Sequence, residues 1–197
     1  MLKVGITGGI GSGKTVVCQI FSTLGIPIYN ADSETKQLYF TNQQLKSELI
    51  DAFGEQFYLS PNELNKPFVR DLLNDQKTQK LLNSIVHPAV FSHFETWVSL
   101  QTSPYVIKEA AILFESGANK TVDLVIGVVA NPEIRMERVM KRDSMNRETV
   151  QKIMELQLSN EALISKCNYI VTNNGDDSLI EQVLKINVEL LHQSTHF

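Results

Sequence analysis

A glycine-rich segment near the start of the chain constrains its fold more than any other feature. Residues 8–15 read GGIGSGKT and fit the pattern G-x-x-x-x-G-K-[ST], directly after an apolar stretch at residues 2–6. Glycine permits backbone conformations that other residues avoid, so successive amide N–H groups can turn inwards around an anion. Lys14 can reach the outer phosphates, and the Thr15 hydroxyl can bind Mg²⁺. The segment predicts a strand, a loop that binds a nucleoside triphosphate, and a helix that begins near Lys14.

Length and composition favour one globular domain with a small insert. The chain has 197 residues, of which 43% are hydrophobic and 20% are charged, and its formal net charge is −4. A net negative chain disfavours nonspecific binding of nucleic acid, which needs a basic face. No stretch of the sequence resembles a membrane span, and its start lacks the pattern of a secretory signal. We therefore expect a cytoplasmic protein that binds neither nucleic acid nor membrane, and composition predicts no oligomeric state.

The two cysteines do not follow a metal-binding pattern. Cys18 and Cys167 lie far apart in the sequence, without histidines at a suitable spacing. Such cysteines in a cytoplasmic protein are typically reduced. We expect both to be packing residues, without a zinc site.

Apolar segments after the loop predict the rest of a sheet. Residues 25–29 predict a turn and a short second strand, and three later segments are rich in β-branched residues and almost continuously apolar. These segments are residues 105–108, 124–129 and 169–172. Such strands are typical of a parallel sheet that helices cover on both faces. The pattern therefore predicts an α/β fold with a five-stranded parallel sheet and right-handed crossovers.

Residues 33–102 interrupt this alternation with a long segment of helical periodicity. The segment is far longer than a simple connection between strands. We interpret it as a helical domain that holds the second substrate and is inserted into a core of residues 1–32 and 103–197. A turn is expected around residues 59–62, and His87–Pro88 is expected to end one helix and begin another.

Asp32 is the candidate base for a transfer of phosphate to a hydroxyl group. It follows the predicted second strand, and ligands of open α/β sheets bind at the carboxyl ends of the strands. A carboxylate at that edge can take the proton of the acceptor hydroxyl. Two other roles stay open, because Asp32 could cap the next helix or position Mg²⁺ through a water molecule. Ser33 offers an alternative cap.

Three arginines recur at helical spacing near residue 138. Arg135, Arg138 and Arg142 fall at i, i+3 and i+7, which places them on one helix face with apolar residues facing inwards. This face is compatible with a solvated surface that pairs with neighbouring glutamates. It is also compatible with a lid, around residues 133–150, that closes on the triphosphate and excludes water. We predict that Arg138 and Arg142 are the arginines of this lid that contact the triphosphate.

Other polar residues follow the predicted strands. Glu109 and Glu115 lie after the third strand, where each could hold a Mg²⁺-bound water, contact substrate or cap a helix. Residues 173–175, with Asn174 at their centre, form a turn after the last strand, and the amide groups of this turn could contact the adenine edge, although a simple turn has the same pattern. His87 is as compatible with packing or capping as with a ligand contact.

The ordered set of motifs resembles the dephospho-CoA kinase family. Matching positions occur in order over nearly the whole chain, at residues 7–15, 31–32, 87–88, 113–115, 138, 142–143 and 173–175. The resemblance implies transfer of the γ-phosphate of ATP to the ribose 3′-hydroxyl of dephospho-CoA, the last step of coenzyme A synthesis. It also implies a P-loop nucleoside-kinase-like core, a helical CoA-binding insert and a lid.

The motifs and the resemblance together assign roles to individual residues. The residues assigned to ATP are Gly11, Ser12, Gly13, Lys14, Thr15, Val16, Arg138, Arg142 and Asn174. Those assigned to catalysis are Asp32, Lys14 and Arg138, and Thr15 is assigned to Mg²⁺. The residues assigned to dephospho-CoA are Thr7, Asp32, Arg70, His87 and Glu109.

Several positions depart from the family pattern. Asn30 stands where a first aspartate is common, and Ala111 stands where proline is usual. Lys66 replaces a common arginine, and Cys167–Asn168 replaces Ala–Asp. Because the phosphate loop and Asp32 are intact, these differences bear on substrate contacts more than on activity.

Two other functions are compatible with the loop. One is a P-loop kinase for a different small acceptor, such as a nucleotide, shikimate or a sugar acid. The other is a nucleotide-operated switch, although the sequence lacks the Asn-Lys-x-Asp signature of guanine binding. The length of residues 33–102 favours a large acceptor such as dephospho-CoA.

Overall fold

The computed structural model describes residues 1–195 of the 197-residue chain. These residues divide into two compact units. The first unit comprises residues 1–30 and the described residues from 101 onwards, and the second comprises residues 31–100. The core range expected from the sequence ends with residues 196 and 197, which lie outside the described part.

The first unit contains both strands and helices, whereas the second unit is mainly helical. In chain order the elements are β1 (Leu2–Thr7), α1 (Lys14–Thr23), β2 (Ile28–Asn30), α2 (Ala31–Thr41), α3 (Gln43–Phe53), β3 (Tyr58–Ser60), β4 (Glu63–Leu64), α4 (Lys66–Asn74), α5 (Gln76–Ser99), β5 (Tyr105–Glu109), β6 (Leu124–Val129), α6 (Pro132–Asp143), α7 (Arg147–Glu155), α8 (Asn160–Lys166), β7 (Tyr169–Thr172) and α9 (Leu179–Ser194). Among residues 1–195, no helix has the length and apolar character needed to cross a membrane.

Five strands of the first unit form one parallel sheet in the order β2-β5-β1-β6-β7. This finding confirms the predicted α/β fold with a five-stranded parallel sheet. On one side of β1, Leu2 lies opposite Tyr105 of β5, and on the other side Val4 lies opposite Leu124 of β6. The chain builds β2 and β5 on one side of β1 before it crosses to β6. Ligands of open α/β sheets bind at such a reversal of strand order, at the carboxyl ends of the strands.

The core of the first unit packs the central strands against α1 and α9. Its buried residues are Leu2, Val4, Ile6, Val17, Cys18, Phe21, Ile26, Tyr105, Ile107, Ile126, Val128, Val171, Val183, Ile186 and Leu190. A slip of one residue would turn the side chains of a strand to the opposite face, so this burial fixes the strand register. The register in turn fixes where β1 ends and the glycine-rich loop begins.

The second unit has its own apolar cluster. Its buried residues are Leu38, Leu45, Leu49, Phe57, Leu82, Val86 and Val90. Side chains of Asn42, Asn65 and Asp75 accept hydrogen bonds from the first turns of α3, α4 and α5 and so define where these helices begin. The turn expected around residues 59–62 closes a short antiparallel hairpin of β3 and β4.

Helix α5 runs through Pro88 without a break. The expected end of one helix and start of another at His87–Pro88 is therefore wrong. Proline inside a helix removes one backbone hydrogen bond and costs roughly 3 kcal/mol. Leu82, Val86 and Val90 flank Pro88 on both sides and are buried in the same cluster. Their packing keeps the helix continuous despite this cost.

Candidate active site

The phosphate loop, residues 8–13, connects β1 to α1. Helix α1 begins at Lys14, and Gly13 before it has φ 97° and ψ 22°, a left-handed conformation that favours glycine. Within the loop, the N–H of Ser12 donates to the Gly9 carbonyl at 3.1 Å. The loop therefore presents its backbone at the N-terminal end of a helix, where an anion is stabilised.

A cavity of about 350 Å³ lies beside the loop. It is lined by Gly11, Gly13, Lys14, Thr15, Val16, Arg138 and Arg142. The structure thus brings together the loop and both arginines predicted for the lid, Arg138 and Arg142. Three of the lining side chains are cationic, so the cavity suits a polyanion such as a triphosphate.

The Lys14 side chain folds back over the loop. Its ammonium donates to the Gly8 carbonyl at 2.7 Å and lies 3.4 Å from the Gly9 carbonyl. These contacts hold the Lys14 ammonium at the edge of the cavity beside the loop. Phosphate oxygens form stronger, charge-assisted hydrogen bonds than carbonyls and could replace them as partners.

A hydrogen-bonded row joins Thr15 in the first turn of α1 to Asn30 and Glu109, which are the last residues of β2 and β5. The Thr15 hydroxyl donates to one carboxylate oxygen of Glu109 at 3.1 Å, and the Asn30 side-chain amide donates to the other at 2.8 Å. Glu109 ends β5 and is only 8% exposed. Asn30 therefore supplies a donor at a position where aspartate would set a second carboxylate against Glu109.

This row contains oxygen ligands that suit Mg²⁺. The ion prefers oxygen and usually binds through one or two carboxylates together with phosphate oxygens and waters. The Thr15 hydroxyl and the Glu109 carboxylate lie next to each other. These residues fit the ion, which would take its remaining ligands from phosphate and water.

Arg138 contacts the residue that follows β7. Its guanidinium donates to the Asn173 carbonyl at 3.0 Å and to the Asn173 side-chain oxygen at 3.4 Å. Arginine has five N–H donors, so these contacts leave others for a ligand. Arg138 is half-buried and lines the cavity. Its hydrogen bonds to Asn173 hold its guanidinium next to the loop.

Arg142 lies in the last turn of α6 and pairs with its neighbour Asp143. The two side chains approach to 2.7 Å, and that of Arg142 is 64% exposed. Their hydrogen bond raises the pKa of the Arg142 guanidinium and lowers the pKa of the Asp143 carboxyl. Solvent screens an ion pair this exposed, so Arg142 can exchange Asp143 for a phosphate at little cost.

Arg135 departs from the expected face of three arginines. It is 3% exposed, and its Nε donates to the Ile10 carbonyl of the phosphate loop at 2.9 Å. The three arginines lie on one side of α6, but Arg135 is buried, Arg138 is half-buried and Arg142 is exposed. Helical spacing alone therefore does not predict that their guanidinium groups share one environment. Burial lowers the pKa of the Arg135 guanidinium. Met136 and Val139 pack inwards, as expected.

Thr7 and Asn174 make contacts within the protein. Thr7 is 1% exposed, and its hydroxyl donates to the Ala111 carbonyl at 3.5 Å. The Asn174 side-chain oxygen accepts from the N–H of Asn131, just before α6, at 2.8 Å. Neither residue lines the cavity beside the loop. A ligand contact by either residue stays a prediction.

The other candidates lie in the second unit. Asp32 is exposed in the first turn of α2, which begins directly after β2 ends at Asn30. Arg70 is exposed in α4. His87 in α5 stacks on Phe91, with ring centroids 5.9 Å apart.

Three residues outside the sets assigned to ATP, catalysis and dephospho-CoA contact the phosphate loop. Besides Arg135, Gln157 accepts from the Ile10 N–H at 2.8 Å, and Asn173 donates to the Ser12 carbonyl at 2.8 Å. Asn173 follows a strand at the ligand-binding edge of the sheet, and that position is a usable signal. Gln157 lies outside any motif, so nothing in the sequence indicates its contact.

Known proteins match the chain over nearly its whole length. The family model described as Dephospho-CoA kinase matches residues 2–178. A dephospho-CoA kinase from Bacteroides fragilis is 36% identical over 198 residues, which cover 100% of this chain and 96% of that protein. One from Mannheimia succiniciproducens is 32% identical and covers 96% of this chain and 89% of its own length.

Solved structures resemble the fold. A Thermus thermophilus protein has a TM-score of 0.84 at 28% identity, covering 95% of this chain and 96% of its own. A dephospho-CoA kinase from Campylobacter jejuni has a TM-score of 0.69 at 20% identity, covering 97% and 98%. A shikimate kinase from Acinetobacter baumannii, with a TM-score of 0.54 at 14% identity and coverage of 98% and 94%, shares the fold alone. From the family match and the sequence relatives, the chain belongs to the dephospho-CoA kinase family.

Proposed function

We propose that the protein transfers the γ-phosphoryl group of ATP to the ribose 3′-hydroxyl of dephospho-CoA, which yields coenzyme A. The observation that carries this function is the family match across residues 2–178. The phosphate loop and the cationic cavity beside it supply the chemistry that such a transfer needs. ATP is the donor, and Mg²⁺ accompanies it as in other P-loop kinases.

The first unit supplies the proposed ATP site. Backbone N–H groups of the loop and the positive end of the α1 dipole stabilise the phosphates. Lys14 places its charge on the outer phosphates, and Arg138 and Arg142 neutralise charge on the transferred group. The proposed ATP-binding residues are Gly11, Ser12, Gly13, Lys14, Thr15, Val16, Arg138, Arg142 and Asn174.

The row of Thr15, Asn30 and Glu109 supports the proposed Mg²⁺ site. Thr15 would bind the ion through its hydroxyl, and Glu109 would hold one of its waters. When bound, the ion neutralises negative charge on the β- and γ-phosphates. The hydrogen bonds that Thr15 and Asn30 donate to Glu109 orient both carboxylate oxygens in advance.

The second unit supplies most of the proposed acceptor site. Asp32 is the proposed base that takes the proton of the 3′-hydroxyl as its oxygen bonds to phosphorus. Its exposure, and its position two residues after β2 ends at the edge of the sheet where β1 also ends, support this assignment. Arg70 and His87 would face the CoA moiety, with the Arg70 guanidinium suited to its phosphates. Thr7 and Glu109 complete the proposed set.

The domain roles belong to this proposal as well. Residues 33–102 would form the acceptor domain, and residues around 133–150 would form the lid. The compact division of the chain at residues 31–100 supports the first of these roles. The exposed pair of Arg142 and Asp143 supports the second, since a lid residue must exchange its partner when ATP binds.

The alternative acceptors have weaker support. The resemblance to shikimate kinase is one of fold, at 14% identity. The family match over residues 2–178 supports dephospho-CoA over a nucleotide or a sugar acid as the acceptor. A cytoplasmic location fits an enzyme that consumes ATP, and it stays a prediction.

A panel of acceptors tests the function. Purified protein with ATP and Mg²⁺ is assayed with dephospho-CoA, shikimate, gluconate and a nucleoside monophosphate under identical conditions, and the products are identified by mass spectrometry and phosphorus NMR. We expect ADP formation that depends on dephospho-CoA, and a product with one additional phosphate at the ribose 3′ position. Turnover of shikimate or gluconate, with none of dephospho-CoA, would contradict the proposal.

A further inference from the structure

The guanidinium of Arg135 lies buried against the phosphate loop. Its Nε donates to the Ile10 carbonyl at 2.9 Å, and the residue is 3% exposed. A peptide group is planar and trans, so its C=O and N–H point in opposite directions. Because Arg135 holds the Ile10 carbonyl, the N–H of Gly11 in the same peptide group is directed away from Arg135. Gly11 lines the cavity beside the loop.

Gln157 holds the other polar group of Ile10. Its side-chain oxygen accepts from the Ile10 N–H at 2.8 Å and lies 3.5 Å from a terminal nitrogen of Arg135. Both the N–H and the C=O of Ile10 are therefore occupied by side chains from far along the chain. Since each contact fixes the orientation of one peptide group, the two together fix the loop on both sides of Ile10.

Steric contacts make this arrangement specific to glycine at position 9. A Cβ on Gly9 would lie 1.9 Å from a terminal nitrogen of Arg135 and 2.4 Å from its Cζ. The guanidinium thus occupies the space that any side chain at position 9 would need. The close approach of Arg135 supplies a physical reason for one glycine of the loop.

The Ile10 side chain is held by the same part of the protein. It packs against a cluster whose buried members are Met136 and Val139 of α6 and Val150 of α7. Asn160 adds a longer contact to Arg135 at 3.4 Å and donates to the Ala130 carbonyl after β6 at 2.9 Å. Ile10 therefore contacts α6 through its backbone carbonyl, and it contacts both α6 and α7 through its side chain.

We propose that Arg135 and Gln157 are positioning residues, which hold the Ile10 backbone so that the phosphate loop keeps its ATP-binding shape. This inference rests on the proposed function, because it assigns ATP to the loop. Neither side chain needs to touch ATP, since Arg135 acts through the Ile10 carbonyl and Gln157 through the Ile10 N–H. Loss of either contact frees a peptide group to rotate and leaves a partly buried polar group without its partner.

Variants of Gln157 test the proposal with little change in shape. Gln157→Leu removes the acceptor, whereas Gln157→Glu keeps an oxygen for the Ile10 N–H and can pair with Arg135. We expect Gln157→Leu to raise the Kd for ATP on the order of tenfold, and Gln157→Glu to recover most of that loss. Gln151→Leu, at an exposed glutamine of α7, is the matched control and should bind ATP like the wild type.

Binding is measured by calorimetry with ATP and Mg²⁺ and without an acceptor. Failure of the acceptor assay therefore leaves this test intact, and the two failures are distinguishable. Dephospho-CoA affinity is measured separately and should not change. The proposal is overturned if folded Gln157→Leu binds ATP like the wild type, if Gln157→Glu is as impaired as Gln157→Leu, or if affinity for both ligands falls equally.

A double substitution tests the role of Arg135 against general destabilisation. Gly9→Ala alone should weaken ATP binding strongly, because its methyl group collides with the guanidinium. In an Arg135→Ala background that collision is gone, so Gly9→Ala should add little further loss. An equal loss from Gly9→Ala in both backgrounds would contradict the contact between Arg135 and the loop. Lys185→Met, at an exposed lysine of α9, controls for loss of a positive charge and should leave ATP affinity unchanged.

Discussion

Asn173 donates from its side-chain nitrogen to the carbonyl of Ser12 at 2.8 Å, which ties the residue after β7 to the phosphate loop after β1. The Asn173 side-chain oxygen and backbone carbonyl accept from Arg138. A Cβ at Gly13 would lie 2.2 Å from the Asn173 side-chain nitrogen, so that nitrogen fills the space beside the loop. Because Asn173 holds the Ser12 carbonyl, the Gly13 N–H in the same planar peptide group points the opposite way. One side chain therefore orders both the loop and an arginine of the proposed ATP site.

Asn173→Ala should weaken ATP binding. The variant loses the bond to Ser12 and one contact of Arg138, and a single hydrogen bond is worth about 1 kcal/mol, so the Kd for ATP should rise roughly tenfold. Calorimetric titration with ATP and Mg²⁺ measures this change. Asn62→Ala, in the exposed turn between β3 and β4, is the control. Wild-type affinity in Asn173→Ala would show that the contact does not support nucleotide binding.

Lys14→Ala should slow phosphoryl transfer by about 10²-fold or more, because the transition state loses a positioned positive charge. The Lys14 ammonium also donates to the Gly8 carbonyl at 2.7 Å, so thermal unfolding is measured alongside kcat to separate catalysis from stability. Lys185→Ala, at an exposed lysine of α9, should turn over normally. Normal turnover by folded Lys14→Ala would remove the residue from the mechanism.

Local sequence patterns predicted the sheet well. Strands β6 and β7 have the bounds expected from their apolar runs, and α1 begins at Lys14. Buried parallel strands and a glycine loop before a helix leave signals within a few neighbouring residues. The continuous path of α5 through Pro88 left no such signal, because the packing of Leu82, Val86 and Val90 outweighs the local preference.

The contacts around the loop could be predicted only in part. The cationic cavity follows from the motif and from the spacing of Arg138 and Arg142, which both line it. In contrast, Arg135 and Gln157 reach Ile10 across 125 and 147 positions of the chain. Such contacts depend on how α6 and the segment after α7 pack on the loop. Helical spacing alone groups the buried Arg135 with the half-buried Arg138 and the exposed Arg142.

Pro88→Ala should stabilise the protein. Proline costs a helix interior roughly 3 kcal/mol, part of which is offset because proline also restricts the unfolded chain, so a net gain of about 1–2 kcal/mol is expected. Urea unfolding of the full chain measures it. Pro132→Ala is the matched control, since Pro132 begins α6, where proline is well tolerated. A Pro88→Ala protein less stable than the wild type would mean that the ring contributes packing that outweighs its cost.

Stability should fall at high pH because buried and half-buried thiols and phenols ionise there. Burial raises the pKa of Cys167 to about 11 and that of Tyr58 to about 12, and it raises the pKa of Cys18 further. A group with a raised folded-state pKa stabilises fully below its unfolded pKa, about 8.5 for cysteine, and loses this contribution as pH rises through the folded value.

Urea unfolding in the presence of a reductant, repeated across the alkaline range, measures this loss. The free energy of unfolding should decline from about pH 8.5 upwards, where free thiols begin to ionise. Cys167→Ser removes one titrating group and should flatten the decline up to the folded pKa of about 11. A flat profile for the wild type, or an equal slope in Cys167→Ser, would contradict the assignment to these groups.

Asp32→Asn tests most directly the central claim that the phosphate loop binds ATP and that the Asp32 carboxylate takes the proton of the acceptor hydroxyl. The amide keeps the shape of the side chain but cannot take a proton, so kcat for dephospho-CoA should fall by about 10²–10⁴-fold while the Kd for ATP changes little. Asp51→Asn, at an exposed aspartate of α3, should match the wild type in both measurements. Wild-type kcat in Asp32→Asn, or a loss confined to ATP affinity, would contradict the account.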